Sequence, residues 1–222
     1  MFDSFTPEVV QMIGTGIVET LYMTLFSTIF GYVLGLPWGV ALSVSAQGGL
    51  RPNAVVNKVL GFLANVMRSI PFLILLILVM PFTLFIVGKT YGSTATIVPL
   101  TLSAAPLIAR MVESSLNDVD AGVIEAAESM GASTWTIITK VMLTESRVSL
   151  VSGIVIMLGT VLGYSAMAGV VGGGGLGDIA IRYGYYRYQA DIMIVTVVLL
   201  VALVMILQAL GSRIAIALDK RK

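Results

Sequence analysis

Neither cysteine nor histidine occurs among the 222 residues, and Asp, Glu, Lys and Arg together make up only 11%. The first absence removes disulfide frameworks and the thiolate and imidazole sets that hold zinc. The second removes a water-soluble domain, in which about a quarter of residues carry charge. A net charge of +1 supplies no basic surface for nucleic acid. Hydrophobic residues fill the space instead, at 57%, too many for the polar groups present to cover in water. The chain is built for a lipid bilayer.

Charge is also unevenly spread. Uncharged runs cover residues 20–50, 69–88, 90–109, 148–177 and 192–212, each long enough to cross about 30 Å of hydrocarbon as a helix of about 20 residues. The runs lack the alternating polarity of a membrane barrel, so the sequence predicts an all-α multi-pass membrane protein with about five spans. Lys and Arg fix its direction, because cytoplasmic loops carry their excess. With the N-terminus outside, the inner segments hold Arg51, Lys58, Arg68, Arg110, Lys140, Arg147, Arg213, Lys220, Arg221 and Lys222, against Lys89, Arg182 and Arg187 outside. The expected orientation is N-out, C-in. The opening MFDSFTPEVVQ contains acids but no base, unlike the positive start of a secretory signal, so the first span is expected to be retained.

Two phosphate-binding look-alikes carry nothing. Gly172, Gly174 and Gly177 match G-x-G-x-x-G, which has meaning only between a strand and a helix, and here it ends a span. Gly88-Lys89-Thr90 resembles the end of a phosphate loop, but Thr83 stands where that pattern needs glycine. The five runs contain no charge to relay protons, and Glu19, just before the first, is placed at headgroup level. Gly31, Gly35 and Gly39, like Gly159 and Gly163, repeat at four and allow close helix approach, most simply within one chain. Pro37, Pro71, Pro81, Pro99 and Pro106 are each expected to bend a helix. Tyr164, Ser165 and Met167, clustered in GYSAMAG, are candidates for a narrow region of a solute path, Met being flexible enough to open and close one.

Against this background the stretch VIEAAESMGASTWTIITKVML at 123–143 is a polar island in the longest inner connection. Asp118 or Asp120 is suited to cap a helix start, and Glu125 to the positive end of its dipole. Val123, Ala127 and Met130, with Ile124 beside them, fall on one face. Gly131 permits the left-handed backbone that ends a helix, and Ser133 or Thr134 can cap the next. Acids at Asp120, Glu125 and Glu128, with no base between Arg110 and Lys140, have the wrong sign for an anionic membrane surface. A protein partner suits this helix better, with Ala126 and Ala127 permitting close insertion and Glu125 and Glu128 meeting cations at the rim.

Glu125-Ala126-Ala127, three intervening residues, Gly131, then Val141 and Leu143 resemble the E-A-A-x3-G-x9-I-x-L-P signature of bacterial ABC importer permeases. Val141 stands in place of the isoleucine and Thr144 in place of the proline, which loosens the expected start of the fourth span. RSIPF at 68–72, APLIARMVE at 105–113 and the sequence from Gly163 to Leu200 extend the likeness to the methionine-uptake permeases of that superfamily. The resemblance implies the type I importer fold in a single domain over 1–222, with a coupling segment at 118–144. It further implies a homodimer in the bacterial inner membrane, working with two cytoplasmic ATP-binding-cassette subunits and an extracytoplasmic methionine-binding protein. Glu125, Ala126, Ala127, Glu128, Gly131, Val141 and Leu143 would then form the ATPase-coupling site. No cofactor is expected on this chain; ATP and Mg would be used by the partner. L-methionine, with D-methionine as a further cargo, is the implied solute. Another small amino acid, a self-powered carrier or channel, and a scaffold without transport are the competing readings.

Overall fold

The structure is a computed structural model and describes residues 6–218; the opening residues 1–5 and Lys220, Arg221 and Lys222, used above for orientation, lie outside the described residues. Every regular element among the described residues is helical. Among the described residues, four helical stretches are long and apolar enough to cross a bilayer, and counting one bent pair of helices as a single broken span brings the number to five.

The first span, α1, runs from Pro7 to Ser45, with Pro7 in its first turn and Thr6 before it. It starts thirteen residues earlier than the uncharged run, because Glu8 and Glu19 interrupt the hydropathy but not the helix. The expected second span at 69–88 is also redrawn. It is assembled from α2 (Ala54–Ser69) and α3 (Phe72–Leu78), bent by 102° at Ile70–Pro71, with a further short helix α4 (Met80–Val87) after it. Pro71 disfavours helix at the residue before it, and Ile70 is extended there. Pro81, by contrast, occupies the first turn of α4, where a missing N–H costs nothing. Pro37 lies inside α1, and Pro99 and Pro106 inside α5 (Ser93–Asn117), each within an unbroken helix.

Helices α1 and α5 form the centre. A methyl on Gly35 would stand 2.7 Å from the Ala105 carbonyl oxygen and from Ile108, and one on Gly39 would stand 2.5 Å from the Ala109 oxygen. Gly31 likewise faces Ala104 and Ile108. The glycine stripe therefore serves packing within the chain, and the two helices run parallel, since both numberings rise together. The remaining stripe differs: Gly159 meets Gln208, while Gly163 faces open space.

After α5 come the short α6 (Ala121–Ser129), a helical run of α7 (Thr134–Thr136), a π-helical segment Ile137–Met142 and α8 (Leu143–Glu145), then α9 (Arg147–Ala168). A glycine-rich turn leads to α10 (Gly175–Ile179), a second π segment Ala180–Tyr185 and the last span, α11 (Ala190–Leu218). The contacts Gly159–Gln208 and Gly211–Val155 set α11 antiparallel to α9.

The two ends of the bundle are chemically distinct. At one end, Glu19 and Thr20 accept the N–H groups of Gly175 (2.7 Å) and Leu176 (2.9 Å), and the Gly92 N–H reaches the Gly172 carbonyl. Glu19 thus holds the glycine turn, a more specific role than a headgroup-level position. Gly172, Gly174 and Gly175 have positive φ, and a side chain on Gly177 would strike the Ala166 backbone; the glycines close a turn between helices. At the other end, Ser43 donates to Asn117 at 2.6 Å and Arg51 to Thr134 at 3.2 Å. The N-terminus of α1 and the residue 118–144 segment therefore lie at opposite ends of the bundle.

Candidate functional site: the short helix after α5

Asp120, not Asp118, starts α6: its Oδ1 accepts the Gly122 N–H at 2.8 Å. No acid falls in the first turn, so Glu125 sits too far along to meet the dipole as expected. The helix stops through paired hydrogen bonds, Gly131 N–H to the Glu128 carbonyl (2.9 Å) and Ala132 N–H to the Ala127 carbonyl (3.1 Å). This six-to-one and five-to-two pattern requires a left-handed residue between the arms, and Gly131 supplies it at φ +77°. Ser133, not Thr134, caps the next helix by accepting the Thr136 N–H. Thr134 instead receives Arg51, tying the loop after α1 to the residue 118–144 segment.

The helix turns two faces in different directions. Ala127 is 5% exposed and packs with Ile124 into the bundle core, joined by Ala132, Val141 and Leu143. Val123 and Met130, expected on that same face, point away; Met130 is 81% exposed and Trp135 73%. The apolar residues of 123–130 are thus divided between the chain's own core and solvent, a division that helical periodicity alone cannot make. Glu125, Ala126 and Glu128 are exposed. A polar cavity of about 420 Å³ lies beside them, bounded by Gln47, Gly48 and Asn117 as well as Glu125 and Glu128. Of the seven coupling candidates, then, Glu125, Ala126, Glu128 and Gly131 form an outward surface, while Ala127, Val141 and Leu143 anchor it. Thr144 lies in the single turn α8, and the helical path continues through it. Trp135 was legible only as a large aromatic in a polar segment; exposed at a helix start, it has the character of an interface anchor.

The path candidates do not share a face. Tyr164 stacks on Phe72, ring centroids 4.7 Å apart and 2° from parallel, fixing α3 to α9. Ser165 is buried and donates to the Leu162 carbonyl of its own helix. Met167 alone is exposed.

Residues 31–222 match the family of binding-protein-dependent transport system inner membrane components. The chain belongs to that family. Among its relatives, the methionine import system permease protein MetP of Bacillus subtilis is 46% identical over 222 residues, covering 100% of both chains. The probable D-methionine transport system permease protein MetI of Vibrio cholerae is 47% identical over 207 residues, 93% of this chain and 92% of the relative. A chain of the MetNI methionine ABC transporter, crystallised in inward-facing conformations, superposes with a TM-score of 0.96 at 46% identity, covering 97% of this chain and 100% of that one. An amino acid ABC transporter at 18% identity shares the fold with a TM-score of 0.74. This inner membrane component is therefore a helical permease of the ABC importer type, and α6 is the element at the position of the family's E-A-A signature.

Proposed function

We propose that the chain is the membrane-spanning permease of an ATP-driven methionine importer, taking L-methionine and also D-methionine inward. The observation that carries the reading is the outward surface of α6. A fixed helix, anchored by Ala127 and stopped at Gly131, presents Glu125, Ala126, Glu128 and Met130 to the cytoplasm, the polar and apolar mixture of a protein interface. The methionine-importing relatives support the cargo.

In this reading two copies assemble about a two-fold axis, and each α6 docks on one cytoplasmic ATP-binding-cassette subunit. ATP and Mg bind to those subunits, and an extracytoplasmic binding protein delivers methionine from outside. Closure of the ATPase pair displaces α6. Because Ala127, Val141 and Leu143 are packed into the core, that displacement is passed to α9 and shifts the bundle between inward-facing and outward-facing packings. Among the path candidates, the exposure of Met167 supports a role for it in meeting solute, and the contacts of Tyr164 and Ser165 support a structural role in α9.

Uptake of labelled methionine in cells lacking the native permease tests the cargo: the chain restores L-methionine uptake, and an unchanged uptake rate refutes it. Replacing Glu125 by Lys reverses charge at an exposed site. The variant inserts normally but retains little ATPase on co-purification; full retention removes α6 as the docking element.

A further inference from the structure

Five of the eight tyrosines, Tyr91, Tyr183, Tyr185, Tyr186 and Tyr188, lie at the end of the bundle that holds the glycine turn. Tyr185, Tyr186 and Tyr188 are 62%, 63% and 91% exposed, and the ring centroids of Tyr185 and Tyr186 stand 5.3 Å apart. The segment that carries them is fixed against α11. Gly184 packs so closely there that a methyl on it would stand 2.7 Å from the Met193 Cβ, and the N–H groups of Tyr186 and Gln189 donate to the Ile181 and Tyr183 carbonyls. Tyr188 has φ +56°, the one positive value at a non-glycine among the described residues. Left-handed backbone disfavours a bulky L-residue, and here it holds a phenol ring away from the chain's own core.

The adjoining surface points to what covers these rings. Directly after them α11 begins, and its uncharged run over 192–212 is long enough for about 30 Å of hydrocarbon. The first turns of that run show Ile194, Val197, Val198 and Val201 outward, an aliphatic surface matched to acyl chains. The tyrosines therefore sit where a lipid-facing surface gives way to headgroups, the depth at which an apolar ring with a polar tip is most favourable. The charge at the patch suits phosphate. Arg182 is engaged by Asp178 at 2.6 Å, but the Arg187 guanidinium lies 4.5 Å over the Tyr183 ring. A guanidinium stacked in this way is held in place by the ring and keeps its N–H edge for phosphate oxygens.

We infer that Tyr185, Tyr186, Tyr188 and Arg187 form a headgroup anchor, a surface that binds the phospholipid leaflet on the glycine-turn side of the bundle. The rings lie in the interfacial layer, and their hydroxyls and the guanidinium bond the phosphodiester. Because Gly184 is packed on Met193, the anchor and the start of α11 hold one depth together. The glycerol-phosphate chemistry shared by phospholipids is sufficient for this contact, and the anchor is independent of the solute carried.

The chain contains no cysteine, so single cysteines carry a bimane fluorophore without background. Tyr186→Cys, Tyr188→Cys and, on the aliphatic face of α11, Val198→Cys are each made in the full chain and reconstituted in vesicles of phosphatidylethanolamine and phosphatidylglycerol. A nitroxide on the lipid headgroup should quench the two loop labels about threefold more than aqueous iodide or a nitroxide deep in the acyl chain, and the order of the two nitroxides should reverse at Val198→Cys. Preferential quenching of the loop labels by iodide would place the rings in water, and by the deep nitroxide in hydrocarbon; either result overturns the anchor. Relief of headgroup quenching by added methionine-binding protein would give the surface to a protein partner and overturn it equally. A further variant separates the rings from the label's own affinity for lipid. In the Tyr188→Cys chain, Tyr185→Ser with Tyr186→Ser should lower headgroup quenching about twofold, whereas unchanged quenching would deny the rings their role.

Discussion

Arg110 reaches across from α5 to donate to the backbone carbonyl of Gly61 in α2, at 2.9 Å. The same guanidinium pairs with Glu113 at 2.8 Å and donates to Asn65 at 3.0 Å. One arginine thereby fixes the inner half of the bent second crossing, and a methyl on Gly61 would stand 3.2 Å from it. The side chain is 26% exposed and that of Glu113 16%, so removing the cation leaves a largely buried carboxylate without its partner and takes a second hydrogen bond from the Gly61 carbonyl, which lies within α2. Arg110→Met should cost about 2–4 kcal/mol, read as a lower thermal midpoint of the detergent-solubilised complex. Glu113→Gln should cost less, since an amide oxygen still accepts from the guanidinium.

Gly39→Leu should be among the most damaging single changes in α1. The new side chain enters space held by the Ala109 carbonyl and Val112, and neither backbone can retreat without parting α1 from α5. Overpacking of this kind costs about 1–3 kcal/mol or more. Limited proteolysis of membranes should show faster loss of the chain, while Gly14→Leu, which meets nothing within 4 Å at its Cβ, should leave proteolysis unchanged.

Gly131→Ala keeps both terminal hydrogen bonds of α6 but forces a Cβ into left-handed backbone, at about 1–2 kcal/mol. Gly131→Pro additionally removes the N–H that reaches Glu128 and cannot adopt the positive φ. The expected order of ATPase retention on co-purification is glycine, alanine, proline, with insertion into the membrane equal for all three.

Glu19→Ala frees the N–H of Gly175, which the carboxylate now accepts. An unsatisfied donor there costs about 1–3 kcal/mol, whereas Glu19→Gln retains an acceptor and should behave closer to the parent chain. Hydrogen exchange at Gly175 and Leu176 distinguishes the two: protection should fall in the alanine variant and persist in the glutamine one.

The crossings were legible because hydrocarbon demands long uncharged helices, and the two ends because Lys and Arg are unequally divided between them. What the sequence hid has local physical causes. Glu8 and Glu19 break the hydropathy of α1 but suit its helix, so its outer third read as a loop. Asn57, Lys58, Asn65 and Arg68 made α2 look like an inner connection, although Asn57 and the backbone near Gly61 bond to α1 and α5. In α6, both Ala127 and Met130 are apolar, yet only the first meets the core, because periodicity names a face without naming its neighbour. The turn at Gly131 was readable from one residue type, since few others tolerate that backbone. Exposure of Trp135 was not, because nothing in its neighbours states which side of the segment the bundle occupies.

Between Glu19, which grips the glycine turn, and Ser43, which bonds Asn117 at the end of α5, α1 runs without interruption. Twenty-four residues at 1.5 Å each make a strut of about 36 Å, braced against α5 through its glycines. A single continuous helix therefore joins the residue that holds the glycine turn to the residue that holds Asn117, and its length sets how far apart those two ends of the bundle stand.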